Sequence, residues 1–166
     1  YTSGTTGNPK GVELTHGNWS FELDATDSIM KFHPGEKYVS WLPLAHVFGQ
    51  LVDNHYWIKN ALHMYVVDNP LNVVDFAKEI QPHVFIGVPR IYEKIYSNVK
   101  AALDAKAALK ILLKVPGISG VLKSKLKEKI GMANCRFAIT GAAPINTDIL
   151  RLFQSLGVPI FEGYGM

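Results

Sequence analysis

Residues 84–95 read VFIGVPRIYEKI. Residues 84–88 form a short apolar run with the length and β-branched content of a buried strand. Pro89 suits the first turn of a helix, because it lacks the N–H that this turn leaves unpaired. Tyr92, Ile95, Val99 and Leu103 then recur at helical spacing. The same alternation extends toward the amino end. Residues 12–14 read as a short strand, and Thr15 can cap a helix through Trp19, Leu23 and Ile29 that His33-Pro34-Gly35 stops. Residues 37–42 read as a strand, 44–58 as a mostly apolar helix, 64–67 as a strand and 73–80 as a helix. Toward the carboxyl end, residues 94–114 keep helical spacing until Pro116-Gly117 breaks it, and 121–130 resume a short helix. Residues 136–140 and 158–161 read as buried strands separated by a helix over 145–156. Apolar strands linked by helices predict an α/β fold with a largely parallel sheet covered by helices on both faces. Ligands of such sheets gather in the loops beyond the carboxyl ends of the strands. This singles out residues 1–11, 140–144 and 162–166, the first provided that a strand precedes it.

The chain of 166 residues is 48% hydrophobic and 19% charged, with 14 glycines and 9 prolines, a globular balance rather than a disordered or fibrous one. That length supports one core and is short for an enzyme with two substrate domains. The single cysteine, Cys135, excludes an intrachain disulfide framework and a thiolate-rich zinc site, and reads as an inert core residue. No stretch approaches the roughly 20 consecutive apolar residues that span a bilayer. With no signal segment at the start, a soluble, cytoplasmic protein is expected. Both ends open or close inside dense motifs, so the chain is expected to be an incomplete domain fragment over 1–166.

The opening loop combines Thr2, Ser3, Thr5 and Thr6 as hydroxyl donors, Gly4 and Gly7 for close backbone approach, and Lys10 as a positive charge. Backbone amides, hydroxyls and a lysine together make a phosphate cradle, although the same residue types also build ordinary surface turns. The order Pro9-Lys10-Gly11 differs from the nucleoside-triphosphatase loop, in which Gly-Lys is followed directly by Ser or Thr. His46, taken on residue type alone, reads as a structural histidine. His16, His33, His55, His63 and His83 form no metal-ligand spacing. Trp41, Phe48, Trp57 and Phe85 read as core residues, one of which could line a substrate channel.

YTSGTTGNPKGV at 1–12 resembles the signature phosphate loop of the adenylate-forming (AMP-binding) superfamily, which includes acyl-CoA synthetases, luciferases and peptide-synthetase adenylation domains. WLPLAHVFGQ at 41–50, ITGAAPI at 139–145 and FEGYGM at 161–166 follow in the order of that family. LPLAHVFGQ together with VPRIYEKI at 88–95 is most similar to long-chain fatty acyl-CoA synthetases. The resemblance implies part of the large N-terminal domain of such an enzyme, without its upstream part and C-terminal domain. It implies that Thr2, Ser3, Gly4, Thr5, Thr6, Gly7 and Lys10 hold the phosphates of ATP. Gly141, Ala142 and Ala143 would line the adenine and acyl-adenylate site, with Ala142 standing where the family often has a glycine. Gly163 and Gly165 would let the backbone pass close to the nucleotide, and Tyr164 would stack on adenine. His46 would sit beside the substrate carboxylate and α-phosphate. The family continues past this point with a threonine and a magnesium-binding glutamate, and Glu162 does not replace the latter.

The activity so implied is ATP- and Mg²⁺-dependent activation of a fatty acid to an acyl-adenylate, then thioester formation with coenzyme A. The fragment alone is not expected to complete it. The alternatives are a nucleotide-binding relative without chemistry and a ligase for a shorter or aromatic acid. A free amino acid would want a buried carboxylate for its ammonium group, and the signature loops offer none. The net charge of +3 is uneven, because residues 94–129 carry nine lysines against Asp104 and Glu128. Such a segment is a solvated helical face, a weak peripheral contact with anionic membrane, or a nucleic-acid surface. The missing aromatic residues between Lys100 and Lys129 disfavour nucleic acid.

Overall fold

A computed structural model describes residues 7–105 and 118–164. Its frame is a five-stranded sheet in the order β2-β1-β3-β4-β5, with every neighbouring pair parallel. The strands are β1 (Lys37–Ser40), β2 (His63–Val66), β3 (Val84–Gly87), β4 (Phe137–Thr140) and β5 (Ile160–Glu162). Helix α1 (His16–Ile29) precedes β1 and begins with a reciprocal capping box between Thr15 and Asn18. Between β1 and β2 lies one continuous helical rod: α2 (Val47–Gln50), a π-helical segment (Leu51–Tyr56) and α3 (Trp57–Asn60). Helix α4 (Val73–Ile80) leads to β3, α5 (Pro89–Asp104) follows it, α6 (Ile118–Lys129) precedes β4, and α7 (Thr147–Ser155) joins β4 to β5.

Side chains of successive strand residues alternate between two cores. Val39, Phe85 and Ala138 pack with Ala77, Tyr92, Leu126 and Phe153 from α4, α5, α6 and α7. Tyr38, Val84, Ile86 and Ile139 pack with Leu23 of α1 and with Val52 and Tyr56 of the rod. All four residues of β3 are buried, as a central parallel strand with both faces covered requires. Tyr92 is fully buried in the first core. Its hydroxyl lies 2.9 Å from the Ile139 carbonyl and 3.1 Å from that of Phe85, so one proton is shared between adjacent strands.

The amino ends of the strands are tied by polar contacts. The buried Glu36 carboxylate accepts from the Arg136 guanidinium at 2.6 Å and from the His33 amide at 2.9 Å, and Arg136 also donates to the Lys31 carbonyl. His83 accepts the Lys37 amide through Nδ1 at 3.0 Å, which is a structural role for that ring. Cys135 is buried, burial pushes its thiol up to about 12, and it donates to the Phe137 carbonyl, in keeping with an inert core residue.

Residues 12–14 are not a strand. Val12 and Leu14 are 59% and 43% exposed and pair with no strand among the described residues, so their backbone has no ladder to join. Helix α1 stops at Ile29, earlier than Pro34 alone would dictate, because Phe32 turns into the core and the His33 amide is taken by Glu36. The helix expected from residue 44 begins at Val47, where the His46 side chain supplies the cap. The expected helix over 94–114 is seen to Asp104 in α5, and its remainder lies outside the described residues.

Tyr92→Phe keeps the ring and deletes the shared hydroxyl, and is expected to lower the free energy of unfolding by about 1 kcal/mol. Urea denaturation reads this, and an unchanged midpoint would remove the hydroxyl from any account of sheet stability.

Candidate functional site

Parallel strands present all their carboxyl ends at one edge of the sheet, and the loops that leave β1, β4 and β5 meet there. After β1 the chain runs through Pro43 to His46, whose amide donates to the Pro43 carbonyl at 3.0 Å. The His46 Nδ1 accepts the Phe48 amide at 3.1 Å, which commits that nitrogen as an acceptor and leaves the proton of the neutral ring on Nε2. His46 is exposed, so Nε2–H is a donor available to a ligand at this edge.

Two close approaches hold the loops together. A Cβ on Gly49 would stand 2.4 Å from the Pro43 carbonyl oxygen, so only glycine lets α2 close onto the turn that carries His46. A Cβ on Gly141, just past β4, would stand 3.2 Å from the Gly163 carbonyl oxygen and 3.7 Å from the Phe48 ring. Gly163, just past β5, donates its amide to the Thr140 carbonyl at 2.7 Å. Phe48, Gly141 and Gly163 therefore come from three separate sequence motifs and converge around Gly141. Phe48, expected among the core residues, is half-buried, packing against the second core and facing this glycine.

Ala142 has φ +68°, a left-handed conformation that costs a non-glycine residue about 1 kcal/mol. Glycine would adopt this conformation without that cost. Ala143 is exposed, and Asn146 caps α7 by accepting the Asp148 amide at 2.8 Å. Tyr164 is 93% exposed, so its ring is free to stack on a ligand. Gly7 and Lys10 are exposed and belong to the opening loop, whereas Thr2, Ser3, Gly4, Thr5, Thr6 and Gly165 lie outside the described residues. Among the described residues no group of three His, Cys, Asp or Glu side chains could hold a metal ion.

Sequence reading missed one polar residue at this edge. Asp53, in the π-helical segment, is 5% exposed and accepts a hydrogen bond from Ser40 Oγ at 2.7 Å. Its Oδ1 has no partner among the described residues. The signal was available, since Asp53 is the single acid in the run FGQLVDNHYW and shares an inward face with Val52 and Tyr56.

Burial pushes the Asp53 carboxyl from 3.8 up to about 7. Between those values the folded chain holds a proton that the unfolded chain releases, so stability falls as pH rises from about 4 to about 7 and levels off above. Asp53→Asn is expected to flatten this slope in urea denaturation at pH 5, 6, 7 and 8; a slope identical to the parent would rule the buried carboxyl out as its source. Ala142→Gly relieves the left-handed strain and is expected to leave the free energy of unfolding, measured by urea denaturation, equal or higher by up to about 1 kcal/mol. A clear loss of stability would contradict the strain at that position.

Comparison with known proteins gives the same family from several directions. The chain is 37% identical over 194 aligned positions to the long-chain-fatty-acid–CoA ligase ACSBG2 of Homo sapiens, covering 100% of this chain and 29% of that protein. It is 34% identical over 187 positions to the peroxisomal long chain acyl-CoA synthetase 7 of Arabidopsis thaliana, covering 100% of this chain and 26% of that one. Among solved structures, ATP-bound MatB from Rhodopseudomonas palustris superposes with a TM-score of 0.65 at 25% identity, over 100% of this chain and 28% of that chain. The adenylation domain of a carboxylate reductase from Mycobacterium chelonae shares the fold, with a TM-score of 0.74 at 23% identity, over 100% of this chain and 26% of that chain. The chain spans about a quarter to a third of the length of the curated relatives it matches. The model of the AMP-binding enzyme family matches residues 1–166, and the chain belongs to that family.

Proposed function

We propose that the protein activates a fatty acid with ATP and passes the acyl group to coenzyme A, in a chain of the relatives' full length. The observation that carries this reading is the convergence of the His46–Phe48 turn, Gly141 and Gly163 at the carboxyl edge of a parallel sheet. The names of the relatives in Homo sapiens and Arabidopsis thaliana support a long-chain acid.

In the first step a carboxylate oxygen of the acid bonds to the α-phosphorus of ATP while the bond to pyrophosphate breaks. No general base is needed, because a carboxylic acid is already ionised at neutral pH. His46 Nε2–H would donate to the negative charge gathering between carboxylate and α-phosphate, with its ring held in the right tautomer by the Phe48 amide. Thr2, Ser3, Thr5, Thr6 and Lys10, with the amides of Gly4 and Gly7, would hold the β- and γ-phosphates. Gly141, Ala142 and Ala143 would line the adenine and acyl-adenylate, Gly163 and Gly165 would admit the nucleotide, and Tyr164 would stack on the base. Magnesium, when bound to the nucleotide, neutralises phosphate charge. In the second step the thiolate of coenzyme A attacks the acyl carbon and AMP leaves, an easier departure than that of an oxide ion from a free carboxylate. Among the described residues no helix is long and apolar enough to cross a membrane. A peripheral contact of the lysine-rich stretch 94–129 with an anionic membrane would suit a fatty-acid substrate.

The test is ATP–pyrophosphate exchange on the full native chain, with long-chain fatty acid, acetate, benzoate and amino acids offered in parallel. Exchange is expected with the fatty acid, and exchange with benzoate or acetate alone would replace the long-chain reading by that of a shorter-acid ligase. No exchange from a folded, magnesium-supplied protein would leave a nucleotide-binding relative without chemistry. His46→Ala is expected to lower the exchange rate by about 10²-fold. Tyr164→Ala is expected to raise the KM for ATP about tenfold, the scale of one lost base stack.

A further inference from the structure

A second polar device sits behind His46. Ser40 is the last residue of β1, and Asp53 lies in the π-helical segment 13 residues later, with the whole His46 turn between them. Their 2.7 Å hydrogen bond closes that stretch of chain into a loop at its base. The bond is buried, and it joins the sheet edge to a helix whose wide π turn is intrinsically less well packed than an α turn. Along the rest of the closed loop Leu42 is buried in the core, and Phe48 and Leu51 pack against it. Trp41 Nε1 donates to the Ile86 carbonyl at 2.8 Å, Gly49 lies against Pro43, and Val52 enters the core. A valine or leucine at position 53 would fill apolar surroundings without an unpartnered Oδ1, so a polar side chain here departs from what core packing alone would choose.

We infer that Asp53 is a positioning residue for His46, acting through Ser40 to seat the π-helical segment on β1 and so to fix the turn that carries the imidazole at the carboxyl edge of the sheet. The inference rests on the adenylation reading for its kinetic consequence, and on the structure alone for its geometry. A hydrogen bond from Ser40 needs only an acceptor oxygen on residue 53. Burial also favours the neutral carboxyl, so Asn at this position preserves the clasp and Ala abolishes it.

The experiment combines exchange kinetics on the full native chain with a signal that needs no turnover. Asp53→Ala and Ser40→Ala are each expected to lower kcat for acid-dependent exchange about tenfold while KM for ATP stays within about twofold, as a displaced catalytic group would. The double variant is expected to match the singles, because both remove one bond. In a His46→Ala background the Asp53→Ala loss is expected to shrink below about twofold. Asp53→Asn is expected to recover kcat to within about threefold of the parent. The full loss persisting without His46, or Asp53→Asn behaving like Asp53→Ala, would overturn the inference. The imidazole Cε1–H resonance of His46 is expected to shift in Asp53→Ala and in Ser40→Ala and to return in Asp53→Asn. An unmoved resonance overturns the positioning role whatever the exchange assay gives. A parent chain without exchange but with the shifted resonance sinks the adenylation reading and leaves the positioning intact. Ser40→Ala removes only one oxygen and carries the test should Asp53→Ala not fold.

Discussion

A parallel strand cannot stand at a protein surface as an antiparallel one can, since the connections that make it parallel lay helices over its faces. In this chain β3 bears that constraint most fully. It lies between β1 and β4, and Val84 and Ile86 enter one core while Phe85 enters the other. Tyr92, one turn into the helix that follows, returns its hydroxyl to the carbonyls of Phe85 and Ile139 and so joins β3 to β4 from beneath. With the three central strands held in one register, their carboxyl ends fall in a row. The loops that carry His46 and Gly141 have little choice but to meet.

Both edges of the sheet carry buried polar groups. At the amino edge the buried charge of Glu36 is matched, by Arg136 and by the His33 amide, and the arrangement is structural. At the carboxyl edge the matching is incomplete. Asp53 is bonded on one oxygen only, the buried Thr140 hydroxyl has no partner among the described residues, and Ala142 is held in a left-handed conformation. Strained residues stand at the amino edge too, Ala61 before β2 and Gln81 before β3, so it is the meeting of the loops that distinguishes the carboxyl edge.

Glycine acts at this edge through its size. Gly49 admits the Pro43 carbonyl, and Gly141 admits the Gly163 carbonyl. Each removes a Cβ where two backbones converge, and together they bring three loops to within van der Waals reach. The histidine at the centre is oriented by its own helix, because the Phe48 amide that it caps also selects its tautomer.

Much of this was legible in the amino-acid sequence, because strand and helix periodicity are local properties. The apolar run of residues 84–88, Pro89 and the spacing of Tyr92, Ile95 and Val99 are sufficient to name β3 and α5, and the order of the motifs is sufficient to name the family. Where local pattern misled, a distant partner was the reason. Residues 12–14 have the composition of a strand but no neighbour to pair with, and α1 ends early because Glu36 and the core claim the residues beyond it. Asp53 is marked locally only as the lone acid of an apolar run, while the π-helical turn, its bond to Ser40 and the approach of Phe48 to Gly141 have no local signature. They exist because the tertiary structure brings residues far apart in the chain to one edge of the sheet, where burial and hydrogen bonding decide what each side chain becomes.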